Sequence, residues 1–180
     1  RQGITDQLGA ARALGFSQGS APFVSYADPD DRIMSGTFDR LRQALLDHPG
    51  APFAWAGEQR VDVDLMPMGQ PNLQPDGYSA RRHRNNLAGY VHGVALIRRS
   101  ALMPVLSVLN QCGIEADGVL FAHLAKLQTE QPSAGQPVHV PIVGRLWRQH
   151  ENNYHRTFTA AARARGQQLS GVVPQYLHVS

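Results

Sequence analysis

The stretch Phe23-Val24-Ser25-Tyr26-Ala27-Asp28-Pro29-Asp30-Asp31-Arg32 decides how the chain is read, because a short apolar run breaks off into three carboxylates within four positions. β-Branched and aromatic residues, bounded by Ser20-Ala21-Pro22 before and Asp-Pro after, predict a buried strand that delivers its acidic end to a surface. Three acids so close repel one another, so either water solvates them or a cation offsets them. Oxygen ligands suit hard ions such as Mg²⁺ or Mn²⁺, which complete their shell with water and phosphate oxygens. The same letters also describe an Asp-Pro turn in which Asp30 or Asp31 caps the next helix. The motif alone leaves both readings open.

Upstream, Gly9 to Pro22 reads as a helix with its turn. Downstream, Ser35 to Asp47 carries Phe38, Leu41, Leu45 and Leu46 at helical spacing and stops before His48-Pro49-Gly50, an amphipathic helix that should pack on a sheet. Phe53 to Asp64 predicts one strand bent at Gly57, or two short ones, with Val61-Asp62-Val63-Asp64 alternating as a half-exposed strand. Leu65 to Gly89 loses all periodicity and is expected to be a long loop, either functional or a surface excursion.

Gly89 to Ile97 predicts a strand in which His92 is either a substrate contact or a core histidine. Ser100 is a candidate N-cap for a helix bearing Leu102, Val105, Leu106 and Leu109, and a second helix is expected from Asp117 to Gln128. Asp117 or Glu115 at that junction suits a helix start, where the dipole favours anions. A strand over Val138–Val143 leads to Trp147-Arg148-Gln149-His150-Glu151-Asn152-Asn153. A short helix near Thr159 to Arg165 and a tail over Val172–Val179 complete the chain.

The 180 residues suffice for one domain with its own core, and the fold class expected is α/β. One cysteine, Cys112, leaves no internal disulfide framework and fits a reducing compartment, so the expectation is a soluble, cytoplasmic protein. No apolar run approaches the length that spans a bilayer. Net charge is +3 with pI near 9.4, and Lys126 is the sole lysine. The basic clusters Arg81-Arg82-His83-Arg84 and Arg98-Arg99 suit phosphate groups or a solvated face. They lack interleaved aromatics, so nucleic acid is not the expected partner.

The order of these pieces carries a resemblance. A Gly9-Ala10-Ala11-Arg12 helix, a small-residue turn, an apolar strand ending in Asp28-Pro29-Asp30-Asp31, then His92-Gly93 before Arg98-Arg99-Ser100, Asp117-Gly118-Val119-Leu120, and finally Trp147-Arg148-Gln149-His150 resemble the family 2 glycosyltransferases of the GT-A fold. The likeness covers about Gly9 to Asn153. Ala13 stands where the family has asparagine, and Ala116 where it has glutamate, with Glu115 one position early. The resemblance implies a single domain over residues 1–180 with a mixed central sheet flanked by helices, like the C-terminal two-thirds of a GT-A domain. It also implies that strand-helix-strand units holding the nucleotide base precede Arg1.

By resemblance, Arg12, Asp28, Arg148 and His150 would bind a nucleotide-diphosphate sugar donor. Asp28, Asp30 and His150 would hold Mn²⁺ or Mg²⁺, and Asp117 would be the base that activates an acceptor hydroxyl. The expected activity is metal-dependent, inverting sugar transfer to a glycan, lipid-linked or protein acceptor, with peripheral membrane association compatible with it. The rival expectation is a catalytically inactive GT-A-like module that binds nucleotide or glycan.

Overall fold

Strand alternation sends large side chains one way and small ones the other, and Phe53-Ala54-Trp55-Ala56 shows both: Phe53 and Trp55 enter one buried layer, Ala54 and Ala56 a second. A computed structural model describes residues 7–73, 78–85, 91, 94–113, 115–130, 135–151, 153 and 160–171. Its elements are α1 (Leu8–Ser17), β1 (Phe23–Val24), β2 (Arg32–Ile33), α2 (Thr37–Asp47), β3 (Phe53–Val61), α3 (Ala80–Asn85), β4 (Val94–Arg98), α4 (Arg99–Leu102), a 3₁₀ turn (Met103–Val105), α5 (Leu106–Leu109), α6 (Ala116–Glu130), β5 (Val138–Arg148) and α7 (Ala160–Gly171).

The five strands form one mixed sheet in the order β1-β4-β3-β5-β2. β3 and β5 are parallel, and the other three pairings are antiparallel. β1, β3 and β5 therefore point the same way. On the Phe53 face lies the larger core, built with Phe16 of α1, Leu102 and Leu109 of the following helical turns, and Leu120 and Leu124 of α6. On the other face Leu41 and Leu45 of α2 pack over Ala54, Ala56, Val94 and Leu96. Both leucines are fully buried, each stabilising the fold by about 2–3 kcal/mol. The chain is thus a mixed α/β domain with helices on both faces of its sheet. Among the described residues, no helix is long and apolar enough to cross a membrane.

Several local expectations change. α2 starts at Thr37, because Gly36 before it is left-handed (φ 73°), and the Thr37 hydroxyl donates to the Gly144 carbonyl at 3.2 Å. Phe38 and Leu46 stay largely exposed, so the buried stripe is narrower than the spacing suggests. β3 is a single strand whose pairing with β5 is irregular around Gly57. It ends at Val61, since the Asp62 carboxylate accepts the amides of Asp64 and Met66, both at 2.9 Å, and turns the chain back. The expected long loop consequently begins as a return along β3, bridging Val61 to Pro67 and Glu58 to Asn72, and later contains α3.

Ser100 lies inside α4 and caps nothing, for the residue before the helix is Arg98. β5 runs on to Arg148, five residues beyond the predicted end, because it pairs with β3 on one side and β2 on the other. The expected strand start at Gly89, His92 and the Val172–Val179 tail lie outside the described residues.

Candidate functional site

β1 and β2 are opposite edges of the sheet, so the connection Ser25–Asp31 crosses from one edge to the other. It carries the acidic motif past Arg145 and the carboxyl end of β5 at Arg148. Its first residue is fixed by the Ser25 hydroxyl, which donates to the Ala95 carbonyl at 2.7 Å. At its far end the Asp31 side chain is buried, accepting Arg145 Nη1 at 2.8 Å and the Arg148 backbone amide at 3.1 Å. Arg145 Nη2 also donates to Glu58 at 2.5 Å. Burial pushes the Asp31 carboxyl up to about 6, with Arg145 and the Arg148 amide pulling the other way. Asp31 is therefore an anchor. It does not cap α2, which has no side-chain cap.

Asp28 and Asp30 remain partly open to solvent. Asp28 Oδ1 accepts Arg12 Nη2 at 3.2 Å, and its other oxygen lies 3.9 Å from Arg145 Nη1. The Arg12 guanidinium sits 4.0 Å from the centroid of the Tyr26 ring and also ion-pairs with Asp117 in the first turn of α6. Arg12 itself is only 8% exposed. Burial raises the Tyr26 hydroxyl above its ordinary value, which keeps it neutral beside these charges. Asp30 Oδ2 meets His150 Nε2 at 2.8 Å. The His150 amide in turn donates to Asn153 Oδ1 at 2.5 Å, and Asn153 Nδ2 donates to the Arg148 carbonyl at 2.9 Å, which closes the turn after β5.

Arg12 thus joins Asp28 and Asp117, and Asp30 joins His150, although these residues arise from α1, the β1–β2 connection, α6 and the end of β5. Arg148 contributes its backbone amide and carbonyl, which hold Asp31 and Asn153. Sequence reasoning missed Arg145 and Glu58. The available signal was charge inside otherwise apolar strands, which calls for a partner.

Five carboxylates, those of Asp28, Asp30, Asp31, Glu58 and Asp117, face two guanidiniums and one imidazole. Among the ion pairs of the described residues, the carboxylates here outnumber the cations by five to three even with His150 protonated. Among the described residues, no group of three or more His, Cys, Asp or Glu converges in an arrangement that holds a metal ion. The donor chemistry nevertheless suits one. Asp30 and His150 meet with both side chains partly exposed, Asp28 is two residues away, and Mg²⁺ commonly takes one or two carboxylates and fills its shell from water and phosphate.

Other candidates resolve into scaffolding. Arg98 donates to the carbonyls of Ala51 and Leu45 at 2.7 and 2.6 Å, and Arg99 to those of Ala21 and Phe16, so this basic pair clasps backbone. His83 is fully buried, its Nδ1 2.8 Å from the Tyr78 hydroxyl. Glu115 is buried and paired with Arg165 at 2.9 Å. No protein-family model matches the chain, and no curated protein matches it significantly.

Proposed function

We propose that this domain is GT-A-like and transfers a sugar from a nucleotide-diphosphate donor to an acceptor hydroxyl, with a divalent cation and with inversion. The observation that carries this reading is the surplus of carboxylates over cations among the described ion pairs, beside the carboxyl end of β5, a place where open α/β sheets gather ligands. A site of that charge invites a dication before it accepts a diphosphate. Asp28, Asp30 and His150 would hold Mn²⁺ or Mg²⁺, which when bound offsets charge on a departing diphosphate.

The chain's own groups divide the remaining work. Asp31 and Glu58, locked on Arg145, fix the connection that presents Asp28 and Asp30. Asn153 fixes the backbone of His150. Asp117, in the first turn of α6, is the group to accept the acceptor hydroxyl's proton, and Arg12 orients its carboxylate. Arg12 and Arg148 supply positive charge for the donor. A glycan, lipid-linked or protein acceptor, a cytoplasmic setting with peripheral membrane contact and no nucleic-acid partner belong to the same proposal. A second reading, a non-catalytic nucleotide or glycan binder, is favoured by the engagement of Asp117 with Arg12.

Melting of the wild type and of Asp30→Ala, with a nucleoside diphosphate and with or without Mn²⁺, tests the metal and donor. Stabilisation that needs Mn²⁺ and Asp30 is expected, because a ligand of the folded state raises its melting temperature. Equal shifts in both proteins would remove the metal site. Metal-dependent hydrolysis of nucleotide sugars separates the enzyme from the binding module.

A further inference from the structure

We propose that α3 is a proton-released flap: neutral His83 bolts this short helix over the aromatic core, and acidification through the ordinary histidine range opens it ahead of the rest of the fold. The sugar-transfer reading is not needed for this.

α3 spans six residues, well short of the roughly 12–15 at which a helix persists alone in water, so packing must hold it. Among its described side chains Arg81 is exposed, Ala80 partly so, and His83 fully enclosed. The His83 ring centroid lies 5.6 Å from that of Phe53 on β3, 5.2 Å from Phe121 on α6 and 5.6 Å from Tyr78, whose hydroxyl meets its Nδ1 at 2.8 Å. Tyr78 is thus the titratable group that faces it among the described residues. The charged groups of the neighbouring elements are engaged elsewhere: on α6, Asp117 with Arg12, His123 with the Ala101 carbonyl and Lys126 with Glu130, and on β3, Glu58 with Arg145 and Arg60 with the Trp147 ring. An imidazolium here would exchange its hydration for ring faces, which attract a cation far less than water does. Burial accordingly holds the enclosed imidazole neutral. The open form is therefore the one that takes up the proton. In water a histidine binds it near 6.5, so well below that value each pH unit multiplies the opened population about tenfold. α3 contributes no strand, so the five-stranded sheet stays intact while Phe53 and Phe121 are uncovered.

The test is amide hydrogen exchange of the full chain at about pH 7.5 and about pH 5.5, corrected for the intrinsic pH dependence of exchange. Two helices are compared, α3 (Ala80–Asn85) and α2 (Thr37–Asp47), whose Leu41 and Leu45 are fully buried on the other face of the sheet. α3 is expected to be less protected than α2 at both values, and its protection to fall about tenfold from the higher to the lower. Equal protection of the two helices at each pH means that α3 opens only with the whole molecule and overturns the proposal. A less protected α3 whose protection ignores pH overturns it as well, since His83 is then not the bolt. His83→Gln takes up no proton in this range and should lose the tenfold change, and a folded variant that keeps it is equally fatal. Because His83 is buried, that variant can fail to fold, and the comparison of the two helices in the wild type then decides.

Discussion

Arg145 and Asp31 meet at 2.8 Å across 114 residues of chain, both side chains almost wholly removed from water. Glu58 completes the buried triad from the middle of β3. Arg145→Ala leaves two buried carboxylates without their cation, a loss of about 3–5 kcal/mol. Glu58→Gln keeps the Asp31 pair and should cost less, about 1–3 kcal/mol. Urea unfolding of both variants reads the difference, and a reversed order would show that Glu58, not Asp31, is the main partner.

Stability should fall on mild acidification. Burial pushes the His83 imidazole down to about 3 and that of His123 to about 4. Between pH 7 and 5 the unfolded chain protonates both, near 6.5, while the folded chain does not, at about 2 kcal/mol each. Asp31 opposes this, since at about 6 it takes up a proton in the folded state first and returns roughly 1 kcal/mol. The net expectation is a loss of about 2–3 kcal/mol at pH 5, seen as a lower urea midpoint. An unchanged midpoint would place one of the histidines in contact with water.

Asp117→Asn preserves shape and removes basicity. Mn²⁺ and nucleotide binding should persist, while transfer falls by about two orders of magnitude or more. Transfer at the wild-type rate in a folded variant would take the role from Asp117. Glu115 could not inherit it in this conformation, being buried against Arg165.

Gly144 holds no room for a side chain. A Cβ there would stand 2.6 Å from Val94 Cγ1, 2.7 Å from Ala56 Cβ and 3.0 Å from Thr37 Cγ2, so Gly144→Ala should destabilise by about 1–3 kcal/mol. A thermal melt measures it. No loss would mean that α2 can lift from the sheet without penalty.

The alternation and helical spacing that position the core were visible in the letters: Leu41 and Leu45, Leu120 and Leu124, and an irregularity at Gly57 all follow from local pattern. Asp28, Asp30 and Asp31 were visible too, because closely spaced carboxylates are conspicuous. The buried partners Arg145 and Glu58 were not. Arg145 sits two residues past the predicted end of its strand, and nothing nearby in sequence says that its partners are Asp31 and Glu58. Periodicity reports which face of an element is apolar. It is silent on which charge lies across a sheet.

The connection from Ser25 to Asp31 joins the two edges of the sheet, and this bears on how the protein folds. The pairs around it span 87 residues (Arg145–Glu58), 114 (Arg145–Asp31) and 120 (His150–Asp30). Contacts of such sequence separation are assembled only after most of the chain has been brought together, and they slow folding. A nascent or partly unfolded chain therefore has Asp31 without Arg145 and Asp30 without His150. The charge arrangement that would draw in a cation is a property of the assembled fold and not of any local stretch of the chain.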